Sequence, residues 1–246
     1  MKVYDETNIG RRTTNQDKVA IANTRNGQLL AVVCDGMGGH NSGELASKIV
    51  CEYMMDCFKI MPGFVSSLEA KSWLEDTIKK ANQLTKRQAQ TSPMHLGMGT
   101  TIVVALVFQN KVYIGNIGDS RCYQIDETIT QLTEDDTFVN ELIKSGVISK
   151  EEAKFHPKRN VLMKAVGVQE DIDVLIQEYD LKQGYLLLCS DGLYNAISEN
   201  QIYDIVVSEN TLERKCHALI DLALKQHGSD NISIALIEVE RGDVDA

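Results

Sequence analysis

The sequence predicts an α+β fold in which antiparallel sheets pack together and helices cover them. Three observations lead there. Extended segments open the chain, two helical ones follow, extended segments return, then helices, and a last extended run closes it. That order lacks the strand–helix alternation of a parallel doubly wound sheet. The runs TIVVALVF (101–108) and KVYIGNIG (111–118) are short, apolar and separated by turn residues, which is the mark of antiparallel strands. Between these blocks, apolar residues recur at helical spacing.

Taken in order, residues near 2–6, 18–24 and 28–34 read as strands. A helix is expected from Asn41, with Glu44 three residues on as a capping-box partner and Leu45, Ile49, Tyr53 and Cys57 along one face. A second helix covers about 68–89, with Leu74, Ile78, Ala81 and Leu84 as its stripe and Lys79, Lys80, Lys86 and Arg87 toward water. Strands follow in the two runs above and in RCYQID (121–126). The stretch 137–158 is polar and weakly helical. Strands return near 172–179 and 184–189, helices at about 198–207 and 211–226, and NISIALIEV ends the pattern.

Composition narrows the function. The 246 residues suffice for a real core, and 43% hydrophobic with 24% charged residues is ordinary for a globular protein. Lys and Arg total 25 against 35 Asp and Glu, a formal charge of -10. Nucleic acid and anionic membrane are therefore disfavoured partners. No stretch approaches the roughly 18 apolar residues of a membrane span, and MKVYDETNIG has no apolar signal region. Cys34, Cys51, Cys57, Cys122, Cys189 and Cys216 form no C-x-x-C pair and mostly sit in apolar runs. They read as buried thiols of a reducing compartment, so a cytoplasmic location is expected. With no linker or repeat, the whole chain 1–246 is expected to form one domain.

The chemistry lies in a recurrence. Asp35 follows QLLAVVC, Asp119 follows YIGNIG, Asp191 follows LLLCS, Asp230 precedes NISIALIEV, and Asp17 precedes KVAIA. Each aspartate stands at the boundary of an apolar strand. Any one Asp-Gly among them can be a turn. Together they can meet along one sheet edge, where like charges resist ionising unless cations sit among them. Oxygen-only ligands select Mg²⁺ or Mn²⁺ over zinc. Two such ions roughly 3.5–4 Å apart activate water for in-line attack on phosphorus.

The segments GRRTTNQD (10–17), DGMGGHNSGE (35–44), GMGTT (97–101), NIGDSR (116–121), SDGL (190–193) and SDN (229–231) carry a resemblance. In this order they resemble the metal-dependent Ser/Thr protein phosphatases of the 2C type, in their compact bacterial branch. The resemblance implies a four-layer α/β/β/α sandwich of two antiparallel sheets flanked by helices, with a small flap at about 137–163. It implies a phosphatase for phosphoserine and phosphothreonine in proteins, two core Mn²⁺ or Mg²⁺ ions and a third, direct attack by a metal-bridging hydroxide, and a partner Ser/Thr kinase. Asp35 matches the bridging ligand and the Gly36 carbonyl a second one. Asp191 and Asp230 match ligands of one core metal, Asp17 serves the other side through waters, and Asp119 matches a ligand of the third metal. Arg12 matches the arginine that grips substrate phosphate, for which a guanidinium fork is suited. His40 could protonate the leaving oxygen, or equally orient water or the following helix.

Two positions depart from the family pattern. Gln16 stands where a Glu usually precedes the first aspartate, and Asp136 replaces a histidine in LTEDDTFVNEL. The flap is expected to be mobile and to help select protein substrates. A catalytically silent phosphoprotein-binding module and a phosphatase for small metabolites are the competing readings.

Overall fold

In the computed structural model, residues 1–24, 27–39, 42–226, 228–240 and 242 are described. The first three strands are β1 (Lys2–Asn8), β2 (Asp17–Asn23) and β3 (Leu29–Met37). Helices α1 (Ser42–Lys59) and α2 (Ser67–Ala89) follow, then a 3₁₀ turn at Pro93–His95. Next come β4 (Gly99–Thr100), β5 (Ile102–Phe108), β6 (Lys111–Ile117), β7 (Arg121–Ile125) and β8 (Ile129–Gln131). The flap holds α3 (Phe138–Lys144) and α4 (Lys150–Ala153). The chain then runs through β9 (Gln177–Asp180), β10 (Gly184–Cys189), α5 (Asp191–Tyr194), α6 (Glu199–Val206), α7 (Leu212–Lys225) and β11 (Ile232–Val239).

Two antiparallel sheets result. One runs β1-β11-β10-β7-β8; the other runs β2-β3-β5-β6-β9, with the short β4 paired to the end of β3. Strand parity builds the four layers. In β3, Leu29, Ala31 and Val33 point to the facing sheet, where they meet Leu186, Leu188, Ala235 and Ile237. Leu30, Val32 and Cys34, one residue out of phase, point the other way, onto Val50 and Met54 of α1 and Leu74 and Ile78 of α2. In the opposite sheet Ile232, Ile234 and Leu236 cover Leu193, Ile202, Cys216 and Leu219 of α5, α6 and α7. Both faces of the central strands are dry, so their sequences are continuous apolar runs. Each large side chain buried there contributes roughly 1.5–3 kcal/mol.

The helix faces differ from expectation in two places. On α1 the buried row is Ala46, Val50, Met54 and Phe58, while Leu45, Ile49, Tyr53 and Cys57 lie half-buried on its flank. Both rows repeat every four residues, so spacing could not rank them. Gly43, Ala46 and Ser47 decide the matter, because small residues let the helix approach β3 closely on that side. On α2, Leu84 is exposed, and buried Thr77, Asn82 and Thr85 take the inner face. Their polar atoms are satisfied locally: each threonine donates to the carbonyl four residues back, and Asn82 Oδ1 accepts from Gly167 N–H at 2.7 Å. The strand expected near 172–179 is paired only at Gln177–Asp180; Ile172 and Val174 are buried in irregular backbone. The short β4, β8 and α5 carry too little periodicity to be read from sequence.

Ser66, Ser198 and Thr211 cap α2, α6 and α7 as N-terminal acceptors. The expected start of α1 at Asn41 falls outside the described residues, as does His40. All six cysteines are unpaired, as their spacing implied. No helix among the described residues is long and apolar enough to cross a membrane.

Candidate metal centre

Antiparallel pairing explains why aspartates far apart in sequence converge. Asp17 begins β2 and Asp35 lies near the end of β3, and the two are register partners across the pair. Asp119 occupies the turn between β6 and β7. Asp191 follows β10 and Asp230 precedes β11, and those two strands pair with Cys189 opposite Ile234, so their ends meet as well. The strand termini that carry carboxylates thus share one edge of the sandwich.

Each carboxylate is held differently. Asp17 is 1% exposed and accepts from Ser190 Oγ at 2.7 Å and from the Ser233 hydroxyl. Both serines are fully buried, and Ser190 Oγ also accepts from Ser233 N–H at 2.9 Å. The backbone of Asp35 is fixed by Thr101, whose Oγ1 accepts from Asp35 N–H at 2.9 Å and whose own N–H donates to the Asp35 carbonyl at 2.8 Å. The Asp119 carbonyl accepts from the Tyr194 hydroxyl at 2.9 Å. The Tyr194 ring lies 3.6 Å from the Arg121 guanidinium, which grips Asp135. Asp191 Oδ2 accepts from Asn195 at 3.1 Å. Asp230 accepts from Asn231 N–H at 2.9 Å on one oxygen and from Arg12 Nη2 at 2.7 Å on the other.

Electrostatics shows the convergence most directly. Burial, followed by repulsion from Asp17, Asp191, Asp119 and Asp230, raises Asp35 well above the carboxylate range. Burial pushes Asp17 up to about 7, opposed by its two serine donors and reinforced by Asp191 and Asp230. Asp119 also rises to about 7, through burial and then Asp191 and Asp135. Asp191 rises to about 6, through burial and then Asp230, with Asp35 within hydrogen-bonding reach. Arg12 is held charged by Asp230 first, and feels Asp191 and Asp35 beyond it.

A hard cation fits this edge. Among the described residues no hydrogen-bond donor faces the buried Asp191 Oδ1, an arrangement costly for a carboxylate and natural for a metal ligand. The donors are all oxygens, and the mutual repulsion is of the kind a divalent ion relieves. Among the described residues no group of three or more acidic, imidazole or thiol side chains is arranged so as to hold a metal ion by itself. Asp230 is turned to Arg12, so waters and the Gly36 carbonyl would complete the coordination.

Gly36 has a second reason to be glycine. A Cβ there would stand 2.1 Å from the Gly43 carbonyl oxygen and 2.7 Å from the Gln16 carbonyl, and a Cβ on Gly43 would meet Gly36 at 2.8 Å. Helix α1 therefore packs backbone to backbone on the strand end that bears Asp35. The departures from pattern also gain a place. The Gln16 backbone joins three elements: its carbonyl accepts from Gly36 N–H at 3.1 Å and from Ser47 Oγ, and its N–H donates to Asn231 Oδ1 at 2.8 Å. Asp136 holds the flap base, accepting from Gly118 N–H at 3.2 Å, pairing with Lys164 at 3.5 Å, and taking Met163 N–H on its carbonyl at 2.7 Å.

Sequence reasoning missed Ser190, Ser233, Tyr194 and Asn231. Ser190 and Asn231 lay inside quoted motifs, one residue from the aspartates that drew attention.

A model of the family described as protein phosphatase 2C matches residues 6–225. A Listeria monocytogenes protein named serine/threonine phosphatase stp is 37% identical over 236 residues, covering 94% of this chain and 93% of its own. A crystal structure of a bacterial serine phosphatase superposes with a TM-score of 0.92 at 39% identity, covering 98% of each chain. The catalytic domain of the serine threonine protein phosphatase PstP, solved in complex with 2 manganese ions, superposes with a TM-score of 0.84 at 32% identity, over 97% of this chain and 98% of that one. On fold, motif order and match length together, the chain belongs to the protein phosphatase 2C family.

Proposed function

We propose that this chain is a Mn²⁺- or Mg²⁺-dependent protein phosphatase for phosphoserine and phosphothreonine, with residues 1–246 acting as one catalytic domain. The observation that carries the reading is the meeting of Asp17, Asp35, Asp119, Asp191 and Asp230 at one edge, with Arg12 on its rim. The names of the relatives support the same activity. Asp35, the Gly36 carbonyl, Asp191 and Asp230 would hold two core ions, with Asp119 and Asp191 serving a third and Asp17 acting through waters. When bound, such ions neutralise phosphate charge and lower the pKa of coordinated water, so that no Cys or His nucleophile is needed.

The chain's own residues orient the reaction. Arg12, 56% exposed at its side chain, can swing its free guanidinium edge to two phosphate oxygens while Asp230 steadies the other edge. Ser190 and Ser233 keep the Asp17 carboxylate fixed by hydrogen bonds that favour its charged form. His40 is our candidate for protonating the leaving oxygen. The physiological setting we infer is the cytoplasm, opposite a Ser/Thr kinase whose marks the enzyme removes.

The test is phosphate release from a phosphothreonine peptide with Mn²⁺, with Mg²⁺ and with chelator. Metal-dependent release is expected. No release with either metal would favour the silent binding module, and release only from small phosphorylated metabolites would favour the metabolite reading.

A further inference from the structure

We propose that Asn231 is a positioning residue for Arg12, clamping the turn that presents the guanidinium to substrate phosphate. The inference rests on the reading of Arg12 as the phosphate grip. Asn231 is 5% exposed, and its side chain makes three hydrogen bonds to the segment before β2. Its Nδ2 donates to Ile9 O at 2.9 Å and to Thr14 O at 3.0 Å, while its Oδ1 accepts from Gln16 N–H at 2.8 Å. Ile9 and Thr14 bracket the turn in which Arg12 sits, so one amide group closes both ends of that turn. Three hydrogen bonds from one side-chain amide tie both ends of the turn to the start of β11, so removing the amide loses all three at once.

The backbone seats the same turn. Gly10 has φ of +61°, and a Cβ on it would stand 2.0 Å from the Asp230 carbonyl oxygen. On the other side a Cβ on Gly192 would stand 2.0 Å from the Asn231 carbonyl oxygen. The Asp230–Asn231 dipeptide is thus wedged between the Arg12 turn and the start of α5, which carries Asp191. Arg12 reaches Asp230 across this wedge at 2.7 Å. Arg11, next along the turn, reaches away to Leu224 O at 3.2 Å, so it does not share the Asp230 contact. The geometry assigns Asn231 the task of setting where Arg12 stands relative to the carboxylates.

The test is a double-mutant cycle on a phosphothreonine peptide at saturating Mn²⁺, using Asn231→Ala, Arg12→Ala and the pair. Asn231→Ala should raise KM roughly tenfold with a smaller change in kcat, since displacing a positioned group costs up to about a hundredfold. In the Arg12→Ala background the same substitution should leave KM nearly unchanged. An equal effect in both backgrounds would overturn the proposal, because a general loss of structure does not depend on Arg12. Gly10→Ala supplies a second route, pushing the turn off the Asp230 carbonyl while leaving the Asn231 side chain in place, and should show the same non-additivity.

Amide hydrogen exchange gives a readout apart from turnover. In Asn231→Ala the amides of Arg12 and Gln16 should exchange faster while Ile234–Leu236 of β11 stay protected; unchanged protection at Gln16 would contradict the clamp. If Arg12→Ala itself leaves KM unaltered, the phosphate role of Arg12 falls, and the exchange data still decide whether Asn231 holds the turn.

Discussion

Asp191 is pressed by burial and by Asp230, and one of its oxygens faces no donor among the described residues. Replacing it by Asn removes a charge that the metal-free protein is better without. Asp191→Asn should therefore raise the metal-free Tm, by about 2–4 °C for each kcal/mol recovered, while abolishing metal-dependent phosphate release. A lowered metal-free Tm would mean that Asp191 is a structural hydrogen-bonding residue. Arg12 makes the opposite kind of prediction. Its loss should raise KM for a phosphopeptide about ten- to a hundredfold, the worth of a charge-assisted hydrogen bond to phosphate, with Mn²⁺ binding largely retained. At this scale the sequence was partly legible. Each aspartate could be found because it interrupts an apolar run. Ser190, Ser233 and Asn231 could not, since a hydroxyl or amide at a strand end looks like any turn residue until its partners across the sandwich are known.

At the scale of elements, the contact between β3 and α1 ties the site to the fold. Gly36→Ala must push a methyl into the Gly43 carbonyl, and overpacking of this kind costs about 1–3 kcal/mol. Urea unfolding of the metal-free protein should show that loss; a neutral result would mean that α1 can slide away from the strand. The flap carries two short capped helices on a hydrogen-bonded base. Thr137 and Ser149 cap its two helices, and its base is closed by Phe138 N–H to Val161 O and by Met163 N–H to Asp136 O. Val147 and Phe155 are exposed on it. Removing it should reduce turnover of a phosphoprotein more than that of a small aryl phosphate, and equal losses would exclude a role in substrate choice. Long apolar strands and capped helices were readable because propensity and burial agree there. The buried row of α1 was not, because close backbone approach sets it, and the short β4 and α5 were not, because two and four residues carry too little periodicity.

Across the whole molecule, the excess of carboxylates is concentrated into one consequence. Asp17 and Asp119 are raised from 3.8 to about 7, so between those values the folded metal-free chain holds protons that the unfolded chain has released. These groups therefore favour folding at low pH and lose that contribution as pH rises through about 7. Cations act in the reverse sense, since they bind only the ionised carboxylates. The rise in Tm on adding Mn²⁺ should be larger at about pH 8 than at about pH 5.5, and equal shifts would place the metal elsewhere. The claim beneath all of this is that strand-end aspartates form one cation-binding centre. Calorimetric titration of Mn²⁺ into the wild-type chain and into Asp35→Asn tests it most directly. The account predicts saturable binding of at least two ions to the wild type and loss of the tight phase in the variant. Identical isotherms would contradict it.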